Sequence, residues 1–218
     1  MIVKMLPRTL LVGCCSALFG LVVPALVSAA PVTQSAVATT DAPRVLIGEL
    51  DDALLATMKQ AKALGYAGRY RKLAPTVGRA YDFSAVAELV LGPHWSRFSP
   101  AQKQEFIAAL TDYTVATYAA RFDGYAGERF SIKSVQSLRP DRAVVYTLLT
   151  ESDGTTHRLD YLMQSTDGQW RIVNVVADGV SDLALKHAEF THLLDARGFP
   201  GLIAGLKHYT ARLAREAH

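Results

Sequence analysis

Between residues 128 and 181 four strand-like segments alternate with three turns, and this run limits the folds open to the chain. Arg139-Pro140-Asp141-Arg142 makes the first turn, and Asp153-Gly154 and Asp167-Gly168 make the others. Asp-Gly accepts the positive φ of two-residue hairpin loops, whose twist matches the strands they join, so the last three segments pair antiparallel as neighbours. The predicted strands are 128–138, 142–151, 156–165 and 169–177, each long enough to curve around a helix. Val144, Val145, Tyr146, Leu148 and Leu149 put apolar groups on both faces of the second strand, so much of the sheet needs cover.

The cover comes from the flanking helical periods. Leu46, Leu50, Leu54, Met58, Ala61 and Leu64 form one stripe, ended by Gly65, with Glu49, Asp52, Lys59 and Lys62 off it. A second helix is predicted over 69–79 despite Pro75, and a third over 83–91, stopped by Gly92-Pro93. Ser99-Pro100-Ala101-Gln102 supplies an N-cap, a proline at the first helical position and a capping-box glutamine for a fourth helix running to about Phe122. Its broad stripe of Phe106, Ile107, Leu110, Tyr113, Val115, Tyr118 and Phe122 is expected to lie against the concave face of the sheet. After the strands, a helix is predicted over 182–196 with Gly198 at its end, and Pro200 starts a last one. The order is four helices, four strands and two helices. This is an α+β fold: a curved four-stranded antiparallel meander wrapped by about six helices, with a cystatin/NTF2-like sheet.

The N-terminus reads as an export signal, 1–30. Lys4 and Arg8 precede an uncharged run, and Val27-Ser28-Ala29-Ala30 offers small residues for cleavage after Ala29 or Ala30. A retained membrane anchor is the competing reading of the same run. Residues 31–42 read as a flexible leader, and 43–218 as a single domain. Without Lys4 and Arg8 the 23 basic residues fall to 21 against 20 acidic ones, so the overall positive charge gives no argument for nucleic acid. Cys14 and Cys15 both lie within the signal, leaving the mature chain without disulfides or thiolate ligands.

Signatures of catalysis are sparse. Nucleophile elbow, phosphate loop, dinucleotide fingerprint and His-Glu-x-x-His are all absent from the sequence. Glu189 and His192 have ligand spacing on a helix, but a dimetal site would need a second such pair, so no metal site is expected. His94, His157 and His208 stand alone and read as surface or capping residues. The best enzymatic candidates are Tyr146, Asp160, Tyr161 and Asp178, since a helix-covered curved sheet can hold a carboxylate base and a phenolic donor. Asp160 and Tyr161, however, are adjacent in a strand and point to opposite faces. No catalytic residue is assigned.

The apolar pattern instead suggests an enclosed pocket. Tyr146 with Leu148, Tyr161 with Met163, and Val173 with Val175 each share a strand face by alternation, with the relative registers left open. Together with Phe106, Leu110, Tyr113 and Tyr118 they make ten candidate residues lining a pocket between sheet and helices. An ordinary filled core is the alternative, which would suit a protein-binding adaptor.

Arg69, Tyr81-Asp82-Phe83, Leu91-Gly92-x-x-Trp95, Ser99-Pro100-x-Gln102, Thr117-Tyr118, Tyr161, Trp170-Arg171-Ile172-Val173-Asn174-Val175, Gly179-Val180-Ser181, Glu189-Phe190 and Gly201-Leu202-Ile203 occur in an order and spacing that resembles MlaC. That family is the periplasmic lipid-shuttle component of the Mla system, also called the toluene-tolerance auxiliary component of ABC transporters. The run Leu54–Gly78, with Tyr66–Tyr70 inside it, and the stretch 118–122 look most like its hopanoid-associated branch, HpnM. The resemblance implies a curved sheet wrapped by helices around an apolar pocket. It also implies a monomeric carrier of phospholipid or hopanoid, working without cofactor between an inner-membrane transporter complex and an outer-membrane lipoprotein complex. Asn174, where many relatives carry Asp, and Lys186–Phe190 depart from the family's usual residues.

Overall fold

The computed structural model describes residues 38–217, with side chains from residue 41 onward. The expected signal peptide lies outside the described residues. Helix α1, Ala38–Met58, begins within the segment expected as a leader, whose earlier residues lie outside the described ones. The chain continues through α2 (Ala61–Ala80), α3 (Phe83–Leu91), a 3-10 helix (Gly92–Arg97) and α4 (Pro100–Arg121). Strands β1 (Arg129–Arg139), β2 (Arg142–Thr150), β3 (Thr156–Thr166), β4 (Gln169–Ala177) and β5 (Val180–Ser181) follow, then α5 (Asp182–Glu216). The described residues thus form five α-helices and one five-stranded antiparallel sheet in sequence order, against the six helices and four strands expected.

The helix starts follow the capping chemistry. Ser99 Oγ accepts from the Gln102 amide at 3.2 Å, while Gln102 Oε1 accepts from the Ser99 amide at 3.0 Å. Asp82 caps α3 by accepting from the Ala85 amide at 2.9 Å, and its own amide donates to the Ile172 carbonyl at 3.0 Å, tying the α2–α3 link to β4. Gly65 behaves differently from expectation. The first helix has already ended at Met58, and Gly65, at φ 58°, kinks α2 without stopping it. Gly198, at φ 66°, likewise divides α5 into the two helical halves that Gly198 and Pro200 suggested.

Only one of the two expected tight hairpins is a two-residue loop. Asp167 and Gly168 both have positive φ, as a type I′ turn requires, whereas at the other turn only Gly154 does. There Asp153 Oδ1 accepts from the Thr155 amide at 2.8 Å, and Glu151 and Thr155 flank a longer loop. A further Asp-Gly pair, Asp178 and Gly179, also has positive φ at both positions and folds β5 back on β4, pairing Ala177 with Val180. β5 is two residues long, too short for a periodic signal.

The sheet has one apolar face and one polar face. Val145, Tyr161 and Val175 pair across β2, β3 and β4, and Val145, Tyr161, Met163 and Ile172 join the helical core. α1 lies closest to the sheet, its backbone approaching β1, β2 and β4, and buries Ile47, Leu50, Leu54 and Met58. α4 packs chiefly between α2 and α5 rather than along the concave face, and approaches the strands through its C-terminal aromatics, Phe122 meeting Phe130 at 6.2 Å. The opposite face is covered by its own long side chains. Arg158 stacks on Tyr146 at 5.1 Å and pairs with Asp160 at 2.7 Å, and the Tyr146 hydroxyl donates to Gln136 at 2.8 Å.

Arg69 locks the helical layer. Fully buried, it donates from Nε to the Ala119 carbonyl at 2.8 Å, and from its terminal nitrogens to the Ala61 and Ala217 carbonyls at 3.3 and 3.4 Å. Ala119 and Ala217 stand at the ends of α4 and α5, where carbonyls lack helical donors and a cation meets the negative end of the dipole.

Candidate functional site

Where the C-terminal turns of α4 and the start of α5 stand over the sheet, the side chains leave a cavity of about 130 Å³. Its inner wall is apolar and aromatic: Leu149 from β2, Leu159 and Tyr161 from β3, Val175 and Ala177 from β4, and Tyr118 and Phe122 from α4. Tyr81 closes it beside α3, its hydroxyl 2.7 Å from that of Tyr118. Burial, above all, pushes the phenols of Tyr81, Tyr118 and Tyr161 up, so the wall stays uncharged.

The rim is charged. Arg121 and Asp178 are exposed there, with Asp182, Lys186 and His157 beside them. Lys186 pairs with Asp182 one turn away and sits 5.5 Å over the Tyr113 ring. His157 bridges two carboxylates, with Nδ1 2.9 Å from Asp178 Oδ2 and Nε2 3.3 Å from Glu151 Oε1. Asp178 also accepts from the Arg158 amide at 2.7 Å, so this cluster pins the β2–β3 loop to the β4–β5 turn at the rim. Asn174 performs a similar office nearby. Its Oδ1 accepts from the Leu183 amide at 3.0 Å, and its amide donates to Ser181 Oγ, the cap of α5, at 3.0 Å. An apolar interior thus lies under a charged rim.

Of the ten expected lining residues, the structure brings Tyr118, Tyr161 and Val175 together at this cavity. Phe106, Leu110 and Met163 are buried in the packed core, and Tyr113 packs on Phe190 at 5.9 Å just behind the rim. Tyr146 and Leu148 lie on the opposite, polar face beside Lys133, Gln136 and Arg158, because Val145 rather than Tyr146 pairs with Tyr161. Val173 is displaced by a bulge in β4. Leu162 pairs with Asn174 and Met163 with Ile172, so Ile172 takes the face expected for Val173. The catalytic candidates disperse too, with Asp160 and Tyr146 on the polar face, Tyr161 inside and Asp178 at the rim. Beyond those ten, the lining includes Leu149, Tyr81, Phe122, the rim charges and Leu159. Leu159 shares a face with Tyr161 by simple alternation.

A second depression of about 570 Å³ runs along the outside of α2, α4 and α5, floored by Ala108, Ala109, Ala211 and Ala214. It is a surface groove remote from the sheet and contains none of the ten residues. Among the described residues no cluster of three His, Cys, Asp or Glu side chains could hold a metal ion, and no helix is long and apolar enough to cross a membrane.

The architecture has a solved counterpart. A phospholipid-binding protein from Ralstonia solanacearum, determined in complex with a phospholipid, superposes with a TM-score of 0.70 over 79% of this chain and 98% of its own, at 19% sequence identity. The family described as MlaC protein matches residues 49–208, from the first buried turns of α1 to the second half of α5. On that match across most of its length, the chain belongs to the MlaC protein family.

Proposed function

We propose that residues 43–218 form a periplasmic lipid carrier. It takes a phospholipid or a hopanoid from one membrane complex to another, inner to outer or the reverse, as a monomer, with no cofactor and no chemical change to its cargo. Residues 1–30 serve as its export signal. The observation that carries the reading is the cavity itself: a neutral apolar and aromatic interior beneath a rim that holds Arg121, Lys186, Asp178 and Asp182. Such a site holds the apolar body of an amphiphile by burial, on the order of 0.8 kcal/mol per methylene, and leaves a headgroup among charges. Family membership and the phospholipid in the Ralstonia solanacearum protein support the same reading. For the hopanoid branch the support is the resemblance of the 118–122 stretch, which supplies Tyr118, Arg121 and Phe122 to the cavity.

At about 130 Å³ the cavity is smaller than the roughly 300–1,000 Å³ of sites for drug-sized ligands. Loading therefore requires the helices to part from the sheet. The kinks at Gly65 and Gly198 break α2 and α5 into segments that can shift separately. The experiment is uptake. Incubated with phospholipid vesicles and re-isolated, the wild-type protein is expected to carry lipid, and Leu159→Trp, which fills the cavity from the sheet side, is expected to carry little while remaining folded. Equal lipid on both proteins would remove this cavity as the site, and none on either would remove the carrier reading.

A further inference from the structure

α1 carries an anomaly in its buried stripe. Ile47, Leu54 and Met58 are apolar, but Asp51, one turn after Ile47, is buried with them at 5% exposure, and its Oδ1 atom has no hydrogen-bond partner among the described residues. Thr147 on β2 is the sheet's counterpart, wholly buried with its hydroxyl likewise unpartnered. Orphaned groups of this kind are rare, because each loses its water without replacement. Two in one interlayer call for an explanation.

Neither lines the cavity as it stands, but both have neighbours that do. Thr147 alternates with Val145 and Leu149 on the apolar face and pairs with Leu159, so its hydroxyl sits between two cavity residues, Leu149 and Leu159. α1 packs over β1, β2 and β4. Asp51 lies near enough to two other lining residues, Tyr118 and Tyr161, that its carboxylate, when ionised, adds to the effect of burial on their phenols. Burial, with Asp52 nearby, pushes the Asp51 carboxyl up to about 8, so at neutral pH it is a protonated, neutral acid. The pair therefore offers no charge to a cation or an anion. It offers a neutral carboxyl on the helix side and a hydroxyl on the sheet side, each able to donate and to accept.

We infer that Asp51 and Thr147 form a polar recognition site within the expanded ligand cavity, specific for a lipid whose buried apolar part bears a hydroxyl group. A hydroxyl donates to Asp51 Oδ1 and accepts from Thr147 Oγ1, and so satisfies both orphans. A plain hydrocarbon leaves both unpaired. The inference rests on the carrier reading and deepens it by naming the class of cargo.

The test uses mixed vesicles of dioleoyl- and diricinoleoyl-phosphatidylglycerol, which differ only by a hydroxyl on each chain, with bound lipid quantified by mass spectrometry after re-isolation of the protein. Wild type is expected to favour the ricinoleoyl lipid by on the order of tenfold, the ratio that one satisfied buried group supplies. Asp51→Leu combined with Thr147→Val is expected to take the two equally. Equal uptake by wild type, or an undiminished preference in the double variant, overturns the inference while leaving the carrier intact; uptake of neither lipid refutes the carrier reading instead. Should the double variant fail to fold, Thr147→Val alone, nearly isosteric, is expected to lower the preference at least threefold, and an unchanged preference there overturns the inference equally.

Discussion

The phenol oxygens of Tyr81 and Tyr118 lie 2.7 Å apart in the cavity wall, one from the α2–α3 link and one from α4. Each is the other's partner in an otherwise apolar setting, and removing one leaves the other without a bond. Tyr118→Phe is therefore expected to cost about 1–3 kcal/mol of stability. The double Phe variant is expected to cost less than the two singles combined. Denaturant unfolding of all four proteins checks this, and strict additivity would show that the pair does not act as a unit.

Arg69 holds the ends of α4 and α5 through bonds to Ala119 and Ala217. Arg69→Met keeps much of the side-chain length but strips three carbonyls of their donor, so a loss of about 3 kcal/mol or more is expected in chemical denaturation. Arg69→Lys is expected to recover little, since an ammonium cannot reproduce the guanidinium's divergent donors. Full stability in the Lys variant would contradict the assignment.

Ser181 Oγ caps α5 by accepting from the Ala184 amide at 3.1 Å and also receives the Asn174 amide hydrogen. Ser181→Ala is expected to lower stability by about 1 kcal/mol or somewhat more. Asn174→Asp keeps the acceptor for the Leu183 amide but loses the N–H given to Ser181. The serine hydroxyl can turn to donate to the new carboxylate, as it already approaches Asn174 Oδ1 at 3.3 Å, so a thermal midpoint close to wild type is expected. A large drop in Asn174→Asp would show that this link tolerates only the amide.

The helices α3 and α4, the Ser181 cap and the four long strands of the meander were legible because each rests on a local rule: a cap, a Gly-Pro stop, an Asp-Gly turn. The faces of the strands were not, and two local irregularities explain why. A two-residue loop at Asp153-Gly154 would set Tyr146 opposite Tyr161. The longer loop sets Val145 there instead, and a shift of one residue exchanges the faces of the whole strand. The bulge at Val173 then breaks alternation in β4. Tyr146, Leu148 and Val173 lie away from the cavity for these reasons, and Leu149 lines it beside Leu159. Asp51 was legible in principle, since it falls on the Ile47–Leu54–Met58 stripe, but a charge in an apolar stripe reads as exposed until burial is seen.

That buried carboxyl gives a pH signature. Its pKa is raised from 3.8 to about 8 in the folded protein, so between those values the native state keeps a proton that the unfolded chain has released. Asp51's favourable contribution is complete below the unfolded value and is lost as pH rises through that window, after which it is constant. Melting temperatures of wild type and Asp51→Asn across pH 4 to 8 are expected to differ in slope, the variant declining less. Parallel curves would show that Asp51 ionises freely.

The carrier reading is tested most directly by native mass spectrometry of the mature protein as purified, before and after extraction with organic solvent. The account predicts a population heavier than the polypeptide by the mass of a lipid, lost on extraction and restored by exposure to lipid vesicles. A single species at the polypeptide mass that takes up nothing from vesicles would contradict it.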